Sequence, residues 1–216
     1  MERFQRQAGM TVDVTRGNAA LHIEKVLARG TLAKADVFVA MLQGRRYVVK
    51  DFSSKGFWER NLIGRLFIFR EFRAYRALSG VKGLPERFVR LSPFTLAIEY
   101  LEGRSLGAMM KDDIGPSVIG QLEGIIQDIH RRGWVHLDLH RRNNILLVDG
   151  KVIAVDLASA FHPGGVPLIG GWLTRFLGFF DGLSLVKLKK VYAPEMLSAS
   201  EKRILRLRNR VMPRKW

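Results

Sequence analysis

Asp138, an amide at Asn143 or Asn144, and Asp156 stand in order in and just after the segment His136-Leu137-Asp138-Leu139-His140-Arg141-Arg142-Asn143-Asn144-Ile145-Leu146-Leu147. A carboxylate, an amide and a second carboxylate in that order suit phosphoryl transfer from a nucleotide. One carboxylate orients the attacking hydroxyl, and the amide and second carboxylate hold the metal on the phosphates. Mg2+ needs one or two carboxylates because phosphate and water complete its shell, so Asp156 plus one Asn is a sufficient protein contribution. Asp138 is the candidate to orient or deprotonate the acceptor.

The elements that must position these groups follow from periodicity. Ile23 to Arg29, Asp36 to Gln43 and Arg45 to Phe52 read as strands, with Gly30 and Gly44 at the connections. A helical pattern runs from Phe57 to Leu78 with Leu62, Leu66, Phe69, Phe72 and Tyr75 at three- and four-residue steps, and Gly80 ends it. Two more strands are expected near Phe88 to Leu91 and Phe94 to Leu101, then a linker at Glu102-Gly103-Arg104. Ser117 to Arg132 places Val118, Leu122, Ile125, Ile126 and Ile129 on one helical face, with Gly133 suited to the position after its end. Ile145 to Val148 and Lys151 to Val155 flank Asp149-Gly150, a strong hairpin signal that spaces Asp138 from Asp156. The expected organisation is a loose lead-in over 1–20, a sheet-rich half over 21–101 and a helix-rich half over 102–216 ending in a basic tail.

The ordered set resembles the catalytic loop and metal-binding Asp of the protein-kinase-like fold. It is most similar to the small bacterial members, the lipopolysaccharide-core sugar kinases, with Rio-type kinases and aminoglycoside or choline phosphotransferases as relatives. The resemblance runs from about Val26 to Asp156. It implies an α+β, two-lobed fold with an antiparallel N-lobe sheet, one long helix, and a reduced, mostly helical C-lobe. It implies ATP and Mg2+ as cofactors and a hydroxyl-bearing acceptor, a lipopolysaccharide-core sugar or a protein Ser/Thr. Lys50, in Tyr47-Val48-Val49-Lys50, matches the phosphate-contacting lysine, and Glu71 on the long helix would pair with it. His136 would be structural, bonding backbone near the metal-binding segment. Gly30 and Thr31 stand where a phosphate-covering loop belongs, with one glycine instead of three. Glu99 and Leu101 fall at the hinge whose backbone would meet adenine. Counting from the Asp favours Asn143, whereas the strand that follows directly favours Asn144, which we prefer for the metal. Asp156-Leu157-Ala158 keeps the carboxylate but not the usual glycine, and Leu137 replaces the arginine through which regulated kinases read a phosphorylated loop. Ala193-Pro194-Glu195 copies an activation-segment end mark, with too few residues after it for the usual helices; it reads as chance or as a helix start with Pro at its first turn. A nucleotide-binding pseudokinase, or a basic scaffold on membrane or RNA, is the alternative function.

Bulk composition bounds the rest. The 216 residues are 47% hydrophobic and 26% charged, which is globular. With no cysteine there is no disulfide framework and no thiolate chemistry. Met1 to Arg6 lacks the apolar run of a signal peptide, so the expectation is cytoplasmic. The net charge of +16 favours polyanionic partners, among them an anionic membrane face. Basic residues crowd Glu201 to Trp216 without interleaved aromatics, which argues against specific nucleic-acid recognition. Leu168, Ile169, Trp172, Leu173, Phe176, Leu177 and Phe180 form a helical stripe read as core, with membrane contact as the lesser reading; Phe57 to Phe67 is similarly basic and aromatic.

Overall fold

The computed structural model describes residues 11–14, 19–31, 33–163 and 170–211, with side chains over 21–31, 33–163 and 170–206. The chain divides into two compact units. The first holds residues up to Glu102 together with Asp156–Ala160, and the second holds Gly103–Val155 and the residues from Phe161 onward.

The first unit is a six-stranded antiparallel sheet with one long helical element. Its strands are β1 (Thr11–Val14), β2 (Ala19–Ala28), β3 (Asp36–Leu42), β4 (Arg45–Asp51), β5 (Phe88–Ser92) and β6 (Thr95–Glu99), in spatial order β1-β2-β3-β4-β6-β5. β3 and β4 pair in unbroken register from Asp36 opposite Asp51 to Leu42 opposite Arg45. Leu21, Ile23, Phe38, Ala40, Leu42, Val49 and Ala97 cluster into a core. Alternate residues of a strand point to one face, so β2, β3 and β4 each contribute one side of their pleat to that cluster. β1 and the start of β2 lie inside the stretch expected to be a lead-in. Thr11–Val14 has little periodicity of its own, and its pairing with Ala19–His22 is a ladder that short apolar runs do not announce.

The long helix begins as a π-helical turn, Glu59–Gly64, and continues as α1 (Arg65–Ala77). Gly64 is buried where a Cβ would come within 2.7 Å of the Phe52 side chain, so only glycine lets this turn pack against the end of β4. The expected apolar stripe is buried only at its end, where Tyr75 is buried and Phe72 half-buried. Ile68, Glu71, Ala74 and Tyr75 face inward, whereas Leu62, Leu66 and Phe69 stand in solvent. Both sets recur at helical intervals, and the sheet selects the set that includes the Lys50 partner.

The second unit is mostly helical. Its small sheet joins β7 (Arg104–Ser105), β8 (Ile145–Val148) and β9 (Lys151–Ala154) in the order β7-β8-β9. Arg104, read as linker, pairs with Leu147. The β8–β9 hairpin turns at Asp149 and Gly150, both at positive φ (48° and 77°), as a two-residue primed turn requires. Helix α2 (Pro116–Arg131) buries Val118, Leu122, Ile125, Ile126 and Ile129, and Gly133 follows its end at φ 73°. Helix α3 (Gly170–Tyr192) buries Gly178, Asp181, Ser184, Leu185, Val186, Leu188 and Lys189. The aromatic stripe read as core therefore faces outward: Trp172, Phe176 and Phe180 are about half exposed or more and pack on one another. Leu168 and Ile169 lie outside the described residues. Helix α4 (Ala199–Val211) opens on a capping box, with the Glu201 N–H donating to the Ser198 hydroxyl and the Ser198 N–H to the Glu201 carboxylate. Pro194–Met196, in the copied end mark, is a single 3-10 turn with proline in its first turn.

Candidate active site

In the first unit, β4 carries Lys50 and α1 carries Glu71. The Lys50 ammonium donates to Glu71 Oε1 and to Asp156 Oδ1, each at 2.7 Å. Glu71 is 2% exposed, so the pair is out of bulk water. Burial by itself would lower the lysine pKa, but the Glu71 and Asp156 carboxylates beside the ammonium outweigh it and raise the value. For Glu71 the burial wins: its carboxyl is pushed up, with Lys50 opposing and the second carboxylate of Asp156 adding to the rise. One ammonium thus holds two carboxylates, and the set carries a net negative charge that a metal cation or further cations can offset.

Asp156 sits in the left-handed region (φ 66°) at the head of a 3-10 turn, Leu157–Ser159, and accepts the Ala158 N–H at 3.3 Å. Leu157 is buried, and the Tyr75 hydroxyl of α1 approaches the Asp156 and Leu157 backbone. Leu157 packs inside, the exposed Ala158 stands where the expected glycine is missing, and the aspartate itself takes the positive φ.

Gly30 and Thr31 lie in the β2–β3 connection. Asp36 accepts the Gly30 N–H at 2.8 Å and the Ser54 hydroxyl at 2.6 Å, and the Lys55 ammonium bonds the Gly30 carbonyl at 2.7 Å and Asp36 at 3.1 Å. A Cβ on Gly30 would collide with the carbonyls of Lys34 and Ala35. Gly30 is therefore needed for a fastened loop, while Thr31 is exposed and its carbonyl closes the turn to the Lys34 N–H. Glu99 is buried: its carboxylate accepts the Glu86 and Arg87 N–H groups and pairs with the Arg87 guanidinium at 2.8 Å. Its side chain braces β5 to β6, and Leu101 follows just beyond the strand. Asp51 is 2% exposed and accepts from Ser53 and Thr95.

In the second unit, Asp138 and Asn144 come together. Asn144 Nδ2 donates to Asp138 Oδ2 at 3.0 Å and to the Asp138 carbonyl at 3.2 Å, and Asn144 is buried. Asn143 turns away, its Oδ1 accepting the Ser105 hydroxyl at 3.3 Å. The 3-10 turn Arg142–Asn144 and the strand that follows decide this: the Val155 N–H bonds the Asn144 carbonyl, so the first position outside β8 aims its amide inward. His136 is fully buried and accepts the Asp138 N–H on Nδ1 at 3.4 Å, a structural role. Arg141 and His140 approach Asp138 Oδ1 at 3.2 and 3.5 Å and are both exposed.

Sequence reasoning missed Asp181. This α3 residue, 1% exposed, accepts the N–H groups of His136 and Leu137 at 2.8 and 2.7 Å and meets His130 Nε2 at 3.0 Å. The signal was an aspartate on the side of an apolar helix opposite its aromatic stripe. Lys189, also buried on α3, joins Glu123 of α2 and Glu201 of α4 at 3.0 Å each.

Asp156 in the first unit and Asn144 in the second each offer a hard oxygen donor of the kind Mg2+ accepts beside phosphate and water. Among the described residues no three His, Cys, Asp or Glu side chains gather as a self-sufficient metal cage.

Solved structures share this architecture. A Rio2 kinase–ADP/Mg2+–phosphoaspartate complex from Chaetomium thermophilum superposes with a TM-score of 0.58 over 82% of this chain, at 16% identity. The fold is protein-kinase-like. A second Rio2 kinase structure from the same organism gives a TM-score of 0.56 over 82% of the chain, again at 16% identity. The chain spans 58% and 60% of the length of those two structures. No family model matches the sequence, and no curated protein does. Among the described residues no helix is long and apolar enough to cross a membrane.

Proposed function

We propose that this chain is an ATP- and Mg2+-dependent phosphotransferase that moves the γ-phosphoryl group to a hydroxyl acceptor. The observation that carries the reading is the Lys50 ammonium held between the buried Glu71 carboxylate and Asp156 at 2.7 Å each. A scaffold has no use for a cation aimed and desolvated in this way. In the reaction Lys50 meets nucleotide phosphate oxygens, and Glu71 keeps its ammonium oriented. Asp156 and Asn144 would hold Mg2+, which supplies charge neutralisation on the phosphates when bound. Asp138 accepts a hydrogen bond from the acceptor hydroxyl and takes its proton as the phosphoryl group transfers. The Rio2 structure that contains ADP, Mg2+ and phosphoaspartate is consistent with these cofactors.

The acceptor is proposed to be a lipopolysaccharide-core sugar, with a protein Ser/Thr as the second choice. The test is transfer of labelled phosphate from ATP into lipid, protein and RNA fractions, comparing wild type with Asp138→Asn. Wild type should label one fraction; Asp138→Asn should lose transfer by about 10²-fold or more yet still bind nucleotide. Unchanged turnover in that variant would remove Asp138 from the mechanism. Nucleotide binding without any transfer by wild type would instead establish a pseudokinase, the reading favoured by Leu157 and Ala158 after Asp156.

A further inference from the structure

The helical element that carries Glu71 inward presents an unusual face outward. Trp58, Leu62, Leu66 and Phe69 are 77%, 69%, 51% and 50% exposed. Their spacing of four, four and three residues puts them on one stripe, and Arg73 and Arg76 continue it at the next four- and three-residue steps. Arg65 lies on the same side, one turn from Leu62 and Phe69. Between Glu59 and Ala77 the chain has Arg60, Arg65, Arg70, Arg73 and Arg76 against two acids, the half-buried Glu59 at the start and Glu71, which is buried on the opposite face. Among the described residues no ion pair engages Arg65, Arg73 or Arg76; the Arg76 guanidinium lies over the Phe72 ring. Phe57 and Trp58 meet edge to face at 5.5 Å, which holds the indole at the start of the stripe.

We infer that this face docks the protein on an anionic lipid surface. Interfacial helices combine Trp, Phe and Leu on the side that enters the headgroup–acyl boundary with Arg or Lys that meet lipid phosphates. Exposed leucines at 62 and 66 decide between polyanions. An RNA strand rewards aromatic rings by stacking but leaves leucines in water, whereas an acyl boundary buries both. The charge is complementary to an anionic leaflet, because Arg65, Arg73 and Arg76 are exposed, Glu71 is turned inward and the half-buried Glu59 at the start of the element is the one other acid. Docking leaves the Lys50–Glu71 pair undisturbed, since the two faces of the helix are distinct.

The full chain is to be sedimented with vesicles of phosphatidylcholine alone and of phosphatidylcholine mixed with phosphatidylglycerol. Binding is expected for the mixed vesicles only, and it should weaken as salt rises. Arg65→Glu with Arg73→Glu, and separately Trp58→Ser with Phe69→Ser, should each weaken it about tenfold or more. All four positions are exposed, so thermal unfolding should match wild type. Should either double variant fold poorly, Trp58→Phe decides: it should still bind, but the blue shift of tryptophan emission that wild type shows on mixed vesicles should shrink. Equal binding to both vesicle types, or unweakened binding by well-folded variants, overturns the proposal. So does capture of poly(U) RNA or an acidic protein through these residues by a chain that ignores vesicles.

Discussion

Asp181 Oδ1 accepts the backbone N–H of Leu137 at 2.7 Å, and Leu137 is held at φ 66°. Left-handed geometry costs a bulky L-residue roughly 1–2 kcal/mol, so the loop needs a fastener. A buried carboxylate taking two adjacent N–H groups supplies it, one residue before Asp138.

Asp181→Asn replaces one acceptor oxygen with an NH2 that faces donors. The expected loss of stability is about 2–4 kcal/mol, read by urea denaturation, from a buried charged hydrogen-bond set left mismatched. In the folded fraction, transfer should fall while nucleotide affinity holds, because the perturbed loop carries Asp138 rather than Lys50. A variant with wild-type stability and turnover would deny Asp181 this role.

Lys50→Met leaves Glu71 and Asp156 without their shared cation. Breaking a buried pair from one side costs about 3–5 kcal/mol, and adding Glu71→Gln should restore part of that loss. Nucleotide binding, followed by calorimetry, should stay weak in both variants. The sign of the pH effect follows from the raised lysine pKa. Its stabilisation is complete below the ordinary lysine value and is lost only as pH rises through the higher folded one. Wild type should therefore keep its full advantage over Lys50→Met up to about pH 10 and lose it only above that.

Asn144→Ala should raise the Mg2+ concentration needed for half-maximal transfer by about tenfold or more, whereas Asn143→Ala should leave it near wild type. The two side chains differ in what they reach: Asp138 for Asn144, the Ser105 hydroxyl for Asn143. A Mg2+ titration of both variants checks the assignment, and a reversed order would return the metal to Asn143.

Asp36 fastens the Gly30 loop. Its burial alone would raise the carboxyl pKa, but hydrogen bonds from Ser54 and Gly30 together with Lys55 outweigh that and hold it below the ordinary carboxylate value. A depressed carboxyl stabilises the fold above its ordinary value and loses that contribution as pH falls through the folded one. The stability gap between wild type and Asp36→Asn should be full at neutral pH and narrow below about pH 4. A gap independent of pH across that range would show that the charge is not what matters.

Much of this site was readable from local order. Asp138, Asn144 and Asp156 lie within one loop and one hairpin, and the turn at Asp149-Gly150, the face of α2 and Gly133 depend on backbone preferences that neighbouring residues set. Lys50 and Glu71 were found through a resemblance, since each alone is an ordinary charged residue.

What required the folded chain is whatever depends on distant partners. The Lys50–Asp156 bond spans 106 residues, and the Asp181 bonds to His136 and Leu137 span 45 and 44. No local pattern carries such information, because a carboxylate on a helix is equally compatible with solvent or with a buried N–H pair. The same holds for the two helical stripes from Glu59 to Ala77. Composition makes both stripes amphipathic enough to bury. The sheet, packing on the one that includes Glu71, leaves Trp58, Leu62, Leu66 and Phe69 in water.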